Sequence, residues 1–124
     1  MEVALERGAR RLTRWTQDGT LITPRQLATA WNQDLKTIQA AVQRGDLFEV
    51  WVNQAPYFAA VFTALGVEAT AKVCLALRGQ RASVKLMFLM RVHGDLGGKT
   101  VVQVLESGTP MSRIEQLAAA AIDA

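Results

Sequence analysis

TPRQLATAWNQDLKTIQAAVQRGDLFEVWVNQAPYF, residues 23–58, carries a dense run of local structural signals. Thr23-Pro24-Arg25-Gln26 opens it with a hydroxyl suited to an N-cap. Proline takes the first helical position, and a glutamine three residues after the cap can bond back to it. The short helix that follows, to about residue 30, has Leu27, Ala28 and Trp31 on its apolar side. Asn32-Gln33-Asp34 reads as a turn in which Asp34 caps a second helix over residues 35–44, and Gly45 is the residue type that ends it. Three polar residues between two short helices is the length of a helix-turn-helix connection.

The second helix is expected to bury Leu35, Ile38 and Val42, which leaves Lys36, Thr37, Gln39, Ala40, Gln43 and Arg44 facing outward. Arg, Lys and Gln side chains can hydrogen-bond base edges in the major groove, and Ala or the Thr methyl fits beside a thymine methyl. No carboxylate lies between Lys36 and Arg44 to repel a phosphate. Residues 47–52, rich in Phe, Val and Trp, read as a strand. Asn53-Gln54-Ala55-Pro56 reads as a turn, and Tyr57-Phe58 as the return strand. In such a hairpin Val50, Val52 and Phe58 anchor the ribbon, and Asn53 and Gln54 at its tip can reach a sugar-phosphate backbone. Trp15, Trp31 and Trp51 are expected to serve packing, since stacking on bases requires exposure.

This order of parts resembles the winged helix-turn-helix domains of the excisionase and MerR type. There the second helix steps into a strand through "RG(D/E)L", matched here by Arg44-Gly45-Asp46-Leu47. The turn Trp31-Asn32-Gln33 differs in lacking the small apolar residue that usually follows the first helix.

Upstream, residues 2–17 form a helical pattern with Leu5, Ala9, Leu12 and Trp15 on one side and Arg7, Arg10, Arg11 and Arg14 on the other. Asp18-Gly19 breaks it. The candidate DNA contacts are therefore Arg14, Arg25, Gln33, Lys36, Thr37, Gln39, Gln43, Arg44, Asn53 and Gln54.

Downstream, residues 67–77 and 82–92 are apolar on helical steps, with a break at residues 78–81. Two shorter helices are expected at 100–106 and 112–122. Leu86-Met87-Phe88-Leu89-Met90 is apolar all round, which implies burial on more than one side, in the core or across a dimer contact. Leu86, Met87, Met90 and Lys99 are the candidate interface residues.

Gly94-Asp95-Leu96-Gly97-Gly98-Lys99-Thr100 ends like a phosphate-binding loop, but the glycine required five positions before Gly98 is replaced by His93. Gly97 and Gly98 suit a tight turn of positive φ instead. The run "LGGKTVVQVLESG" resembles the C-terminal domain of Xre/MbcA/ParS-type antitoxins, whose usual form is "LGG(R/K)TPLELL", over roughly residues 65–122. Val101 stands where that family has proline, and His93-Gly94-Asp95 where it commonly has Asn-Pro. The resemblance implies a regulatory role and a toxin as protein partner.

The 124 residues carry 14 Lys and Arg against 11 Asp and Glu, a net charge of +3 spread over both halves. Net charge alone is therefore little argument for a polyanionic partner. Cys74 stands alone, which excludes an internal disulfide and a multi-cysteine metal site, and it suits a small core position. His93, read as a loop residue, has no Ser, Cys or carboxylate at catalytic spacing, so neither catalysis nor a cofactor nor a metal is expected. Charge interrupts the first residues too early for a signal peptide and no apolar run spans a membrane, so the expected location is the cytoplasm.

The expected fold is mainly α with a small β-hairpin wing. A winged helix-turn-helix over residues 1–62 is followed by a small helical bundle for dimerisation or partner binding over 63–124. The expected function is that of a homodimeric, sequence-specific regulator of transcription, a repressor, acting on double-stranded DNA. The alternative is an antitoxin that neutralises a toxin through its C-terminal helices and autoregulates its promoter.

Overall fold

The computed structural model describes the backbone of residues 2–123 and the side chains of residues 10–120. It begins with α1 (Glu2–Asp18), after which the Thr20 N–H donates to Asp18 Oδ1 at 2.9 Å. Leu12 and Trp15 pack against the core and Arg10, Arg11 and Arg14 are exposed; the side chains of Leu5, Arg7 and Ala9 lie outside the described residues.

β1 (Leu21–Ile22) has no counterpart in the sequence reading, because two residues are too short to show alternation. It exists through non-local pairing with β3, Leu21 opposite Ala59 and Ile22 opposite Phe58.

α2 (Pro24–Trp31) starts on the expected reciprocal cap. The Gln26 N–H donates to Thr23 Oγ1 at 3.1 Å, and the Thr23 N–H donates to Gln26 Oε1 at 2.9 Å. Leu27 and Ala28 are buried. Asn32 closes the helix in the left-handed region, φ 55°. α3 (Leu35–Arg44) is capped by Asp34 and ends at Gly45, φ 87°.

The hairpin is tighter than the sequence suggested. β2 (Val50–Val52) and β3 (Ala55–Ala59) are joined by two residues only, Asn53 and Gln54, at φ 51° and 68°. Positive φ at both central positions gives the twist that a two-residue antiparallel turn needs. Ala55 and Pro56, read as turn, belong to β3 opposite Val52 and Trp51, and residues 47–49 lead into β2 without being part of it. Val50, Val52 and Phe58 are buried as expected. The sheet order is β1-β3-β2, antiparallel throughout.

α4 (Val61–Ala76) starts earlier than the apolar run at residue 67 indicated and is bent at Gly66, whose φ 82° and ψ 174° lie where a side chain is not tolerated. The expected boundary between residues 62 and 63 falls within this helix, one turn before the bend. α5 (Ala82–Met90), a 3-10 turn at Gly94–Leu96, α6 (Val101–Glu106) and α7 (Met111–Asp123) complete the chain. Thr100 is the N-cap of α6, with the same reciprocal bonding to Gln103 that Thr23 makes to Gln26. The mainly helical chain with its three-stranded sheet thus carries seven α-helices among the described residues.

One hydrophobic core runs from Leu21 to Ala118, through both halves of the sequence. Phe62 is fully enclosed in it, edge-on to Phe48 at 5.4 Å between ring centroids. Its carbonyl accepts the Trp31 Nε1–H at 3.0 Å. On the far side Lys85 Nζ lies 5.5 Å from the Phe48 ring, which ties α5 to the segment that enters the hairpin.

Candidate nucleic-acid interface

α3 sets the site, and its orientation follows from what it buries. Ile38 and Ala41 are enclosed and Val42 is half-buried, whereas Leu35, expected in the core, is 37% exposed. As the first residue of the helix, Leu35 is displaced from the stripe made by Ile38 and Ala41.

The outward side divides in two. Lys36, Gln39, Ala40 and Gln43 recur at i, i+3, i+4 and i+7, a single stripe. Lys36, Gln39 and Gln43 are exposed without a hydrogen bond or ion pair to any described residue, and Ala40 is half-exposed between them. Gln33, Thr37 and Arg44 lie to one flank, lining with Val67 and Ala71 of α4 a cleft of about 130 Å³. This division depends on where α4 packs, which no local pattern reveals.

Two residues of that flank are engaged locally. The Thr37 N–H and hydroxyl donate to Asp34 Oδ1 at 2.8 and 2.6 Å, so this side chain serves the start of α3. Arg44 Nε donates to Asp46 Oδ2 at 3.1 Å, an exposed pair worth little in stability that nevertheless offsets its charge. Arg25, Asn53 and Gln54 are exposed, as is Arg14 on α1.

The hydrogen bonds from the Thr37 hydroxyl and then its N–H hold the Asp34 carboxyl below its ordinary pKa of 3.8. A depressed pKa stabilises the fold above the ordinary carboxyl range, and the benefit is lost as pH falls through that range and past the folded value. Asp34→Ala is therefore expected to lower the melting temperature at pH 7 and to have progressively less effect below pH 4. A melting series from pH 7 to pH 2.5 checks it, and an equal deficit at both ends would mean that Asp34 does not cap α3 through its charge.

Trp51 departs from expectation most. It is 58% exposed, and its indole N–H has no partner among the described residues, whereas Trp15 and Trp31 are half-buried packing residues. The signal was present in Val50-Trp51-Val52: with both valines inward, strand alternation turns the tryptophan outward.

Of the C-terminal candidates, Leu86 is enclosed at 2% exposure by the chain's own core, Met90 is half-buried, and Met87 and Lys99 are exposed. The run 86–90 is thus wet at Met87. Met87 and Val84 border an open groove of about 690 Å³ between α5 and α7, with Leu77, Phe88 and Leu117 among its lining. His93 is buried and not a free loop side chain: its Nε2 lies 2.9 Å from the Phe88 carbonyl and its ring 4.9 Å from the Phe88 ring. Gly97 and Gly98 have the expected positive φ, 70° and 76°. Burial pushes the Cys74 thiol up to about 12, which keeps it protonated and inert.

Among the described residues no cluster of three or more His, Cys, Asp or Glu side chains could hold a metal ion, and no helix is long and apolar enough to cross a membrane. No family model, curated protein or solved structure matches this chain.

Proposed function

We propose that this chain is a homodimeric, sequence-specific DNA-binding regulator of the winged helix-turn-helix kind, acting as a repressor in the cytoplasm without catalysis or cofactor. The observation that carries the reading is the stripe of Lys36, Gln39, Ala40 and Gln43. These donors, acceptors and a small residue on one helix are exposed and uncommitted within the chain, the residue types that read base edges. Support also comes from the three-residue connection of α2 to α3 and the hairpin that follows α3. In this reading α3 lies in the major groove with Gln39 and Gln43 at the base edges, Arg14, Arg25, Lys36 and Arg44 contact phosphates, and the Asn53-Gln54 tip reaches the backbone. Two copies set two such helices about one helical turn apart on a palindromic or repeated site.

Selection of duplex fragments by the purified protein tests the reading and reports half-site spacing. Affinity for the selected fragment is expected to fall steeply with salt, by a log–log slope of about −0.9 for each phosphate neutralised. The absence of any enriched fragment, or an affinity indifferent to salt, rules the reading out.

A second reading, the antitoxin that caps a toxin, draws on the exposed apolar Val84 and Met87 beside the α5–α7 groove. The same surface serves a second copy in the first reading. Sedimentation separates the two: a dimer of the purified chain favours the regulator, and a monomer that pulls down a stoichiometric protein from its source cell favours the antitoxin.

A further inference from the structure

We infer that Trp51 is a DNA-contacting residue of the hairpin, its indole packed on a deoxyribose beside the groove that α3 enters and its Nε1–H donated to a phosphate oxygen. The inference rests on the DNA-binding reading and adds to it a contact of different chemistry from the amide tip.

Trp51 is the most exposed large apolar side chain among the described residues. The strand does not need it for folding, since Val50 and Val52 on the opposite face supply the burial at 6% exposure each. An exposed indole combines an apolar plate with one donor, and the donor has no partner among the described residues. A sugar-phosphate unit offers the complement, an apolar sugar face beside an anionic acceptor.

The charge around the hairpin agrees. α1 packs on β1 and β2 and carries the exposed Arg10, Arg11 and Arg14. The nearby carboxylates are committed: Asp18 accepts the Thr20 N–H, Asp34 caps α3, and Asp46 pairs with Arg44. Glu49, half-buried two residues before Trp51, is the one acidic side chain of the hairpin segment without such a bond. An exposed indole on a strand packed against an arginine-bearing helix fits a polyanion better than an apolar protein face.

The test is fluorescence and affinity on the full chain with a selected duplex and a random duplex. The difference in emission between wild type and Trp51→Phe isolates the Trp51 signal from Trp15 and Trp31. Duplex binding is expected to shift that signal to shorter wavelength and shield it from acrylamide. Trp51→Ala is expected to weaken both duplexes about tenfold, because a backbone contact carries no sequence information, and Trp51→Phe by less. Circular dichroism of both variants controls for folding. Unchanged affinity with an acrylamide-accessible Trp51 overturns the inference while leaving the DNA reading intact; failure of the wild type to bind any duplex removes both. A blue shift on raising protein concentration without DNA overturns it in favour of a contact with a second copy.

Discussion

Phe62→Ala is expected to destabilise the protein by about 3–5 kcal/mol, the usual cost of deleting a fully enclosed aromatic ring. The residue has no solvent exposure and its ring meets the Phe48 edge at 5.4 Å, so the deletion removes both apolar burial and an aromatic pair. The cavity cannot be filled cheaply, because the neighbours belong to different elements. Phe48 sits on the segment entering the hairpin and Trp31 on α2. The Trp31 bond is made to the Phe62 backbone carbonyl and survives in principle, so Trp31 emission reports whether α2 stays docked. Urea unfolding followed by circular dichroism and by Trp emission measures the effect. A loss below about 1 kcal/mol would show that the ring is not held in the core. Phe62→Leu, which keeps most of the volume, should cost less than half as much.

The parts of this fold legible in sequence are those decided within a few residues. Thr23-Pro24-Arg25-Gln26 specifies its own cap, Asp34 and Gly45 bracket α3, and the alternation from Val50 to Val52 marks a strand. Thr100-Val101-Val102-Gln103 carries the same cap as residues 23–26, and recognising it would have placed Thr100 outside its helix. The two-residue turn was harder, since Asn53-Gln54 lacks the glycine that usually marks positive φ at both positions. β1 was not legible at all, because its existence depends on pairing across nearly forty residues. Gly66 was hidden in an apolar run whose composition suits a straight helix, and only its φ reveals the bend.

The candidate site divides in the same way. Helical period alone put Lys36, Gln39 and Gln43 outward, and they are exposed. That Thr37 is occupied by Asp34 could have been inferred from the N-cap, since the third helical residue is where a capping carboxylate finds its donors. The flank against Val67 and Ala71 could not, because it requires the position of α4. The burial of Leu86 beside the exposure of Met87 is likewise a consequence of packing: an all-apolar run gives no period from which to choose a wet side.

Within the DNA-binding reading, these placements separate three roles on α3 that substitution can distinguish. Gln39→Ala and Gln43→Ala are each expected to cost about 1–3 kcal/mol on the selected fragment and almost nothing on random duplex, since a lost base-edge contact removes discrimination. Lys36→Ala should weaken both duplexes alike and reduce the magnitude of the salt slope by about 1, the signature of a phosphate contact. The three positions are exposed and alanine is the best helix former, so the melting temperature should hold or rise slightly. Thr37→Ala should behave in the opposite manner, lowering the melting temperature through the weakened cap while changing discrimination little. Titration of the four variants against both duplexes at two salt concentrations, beside their melting curves, decides the assignment. If Gln39→Ala and Gln43→Ala lose affinity equally for selected and random DNA, α3 tracks the backbone and does not read bases. If Thr37→Ala abolishes discrimination in a fully folded protein, the base-reading side of α3 is the flank that faces α4.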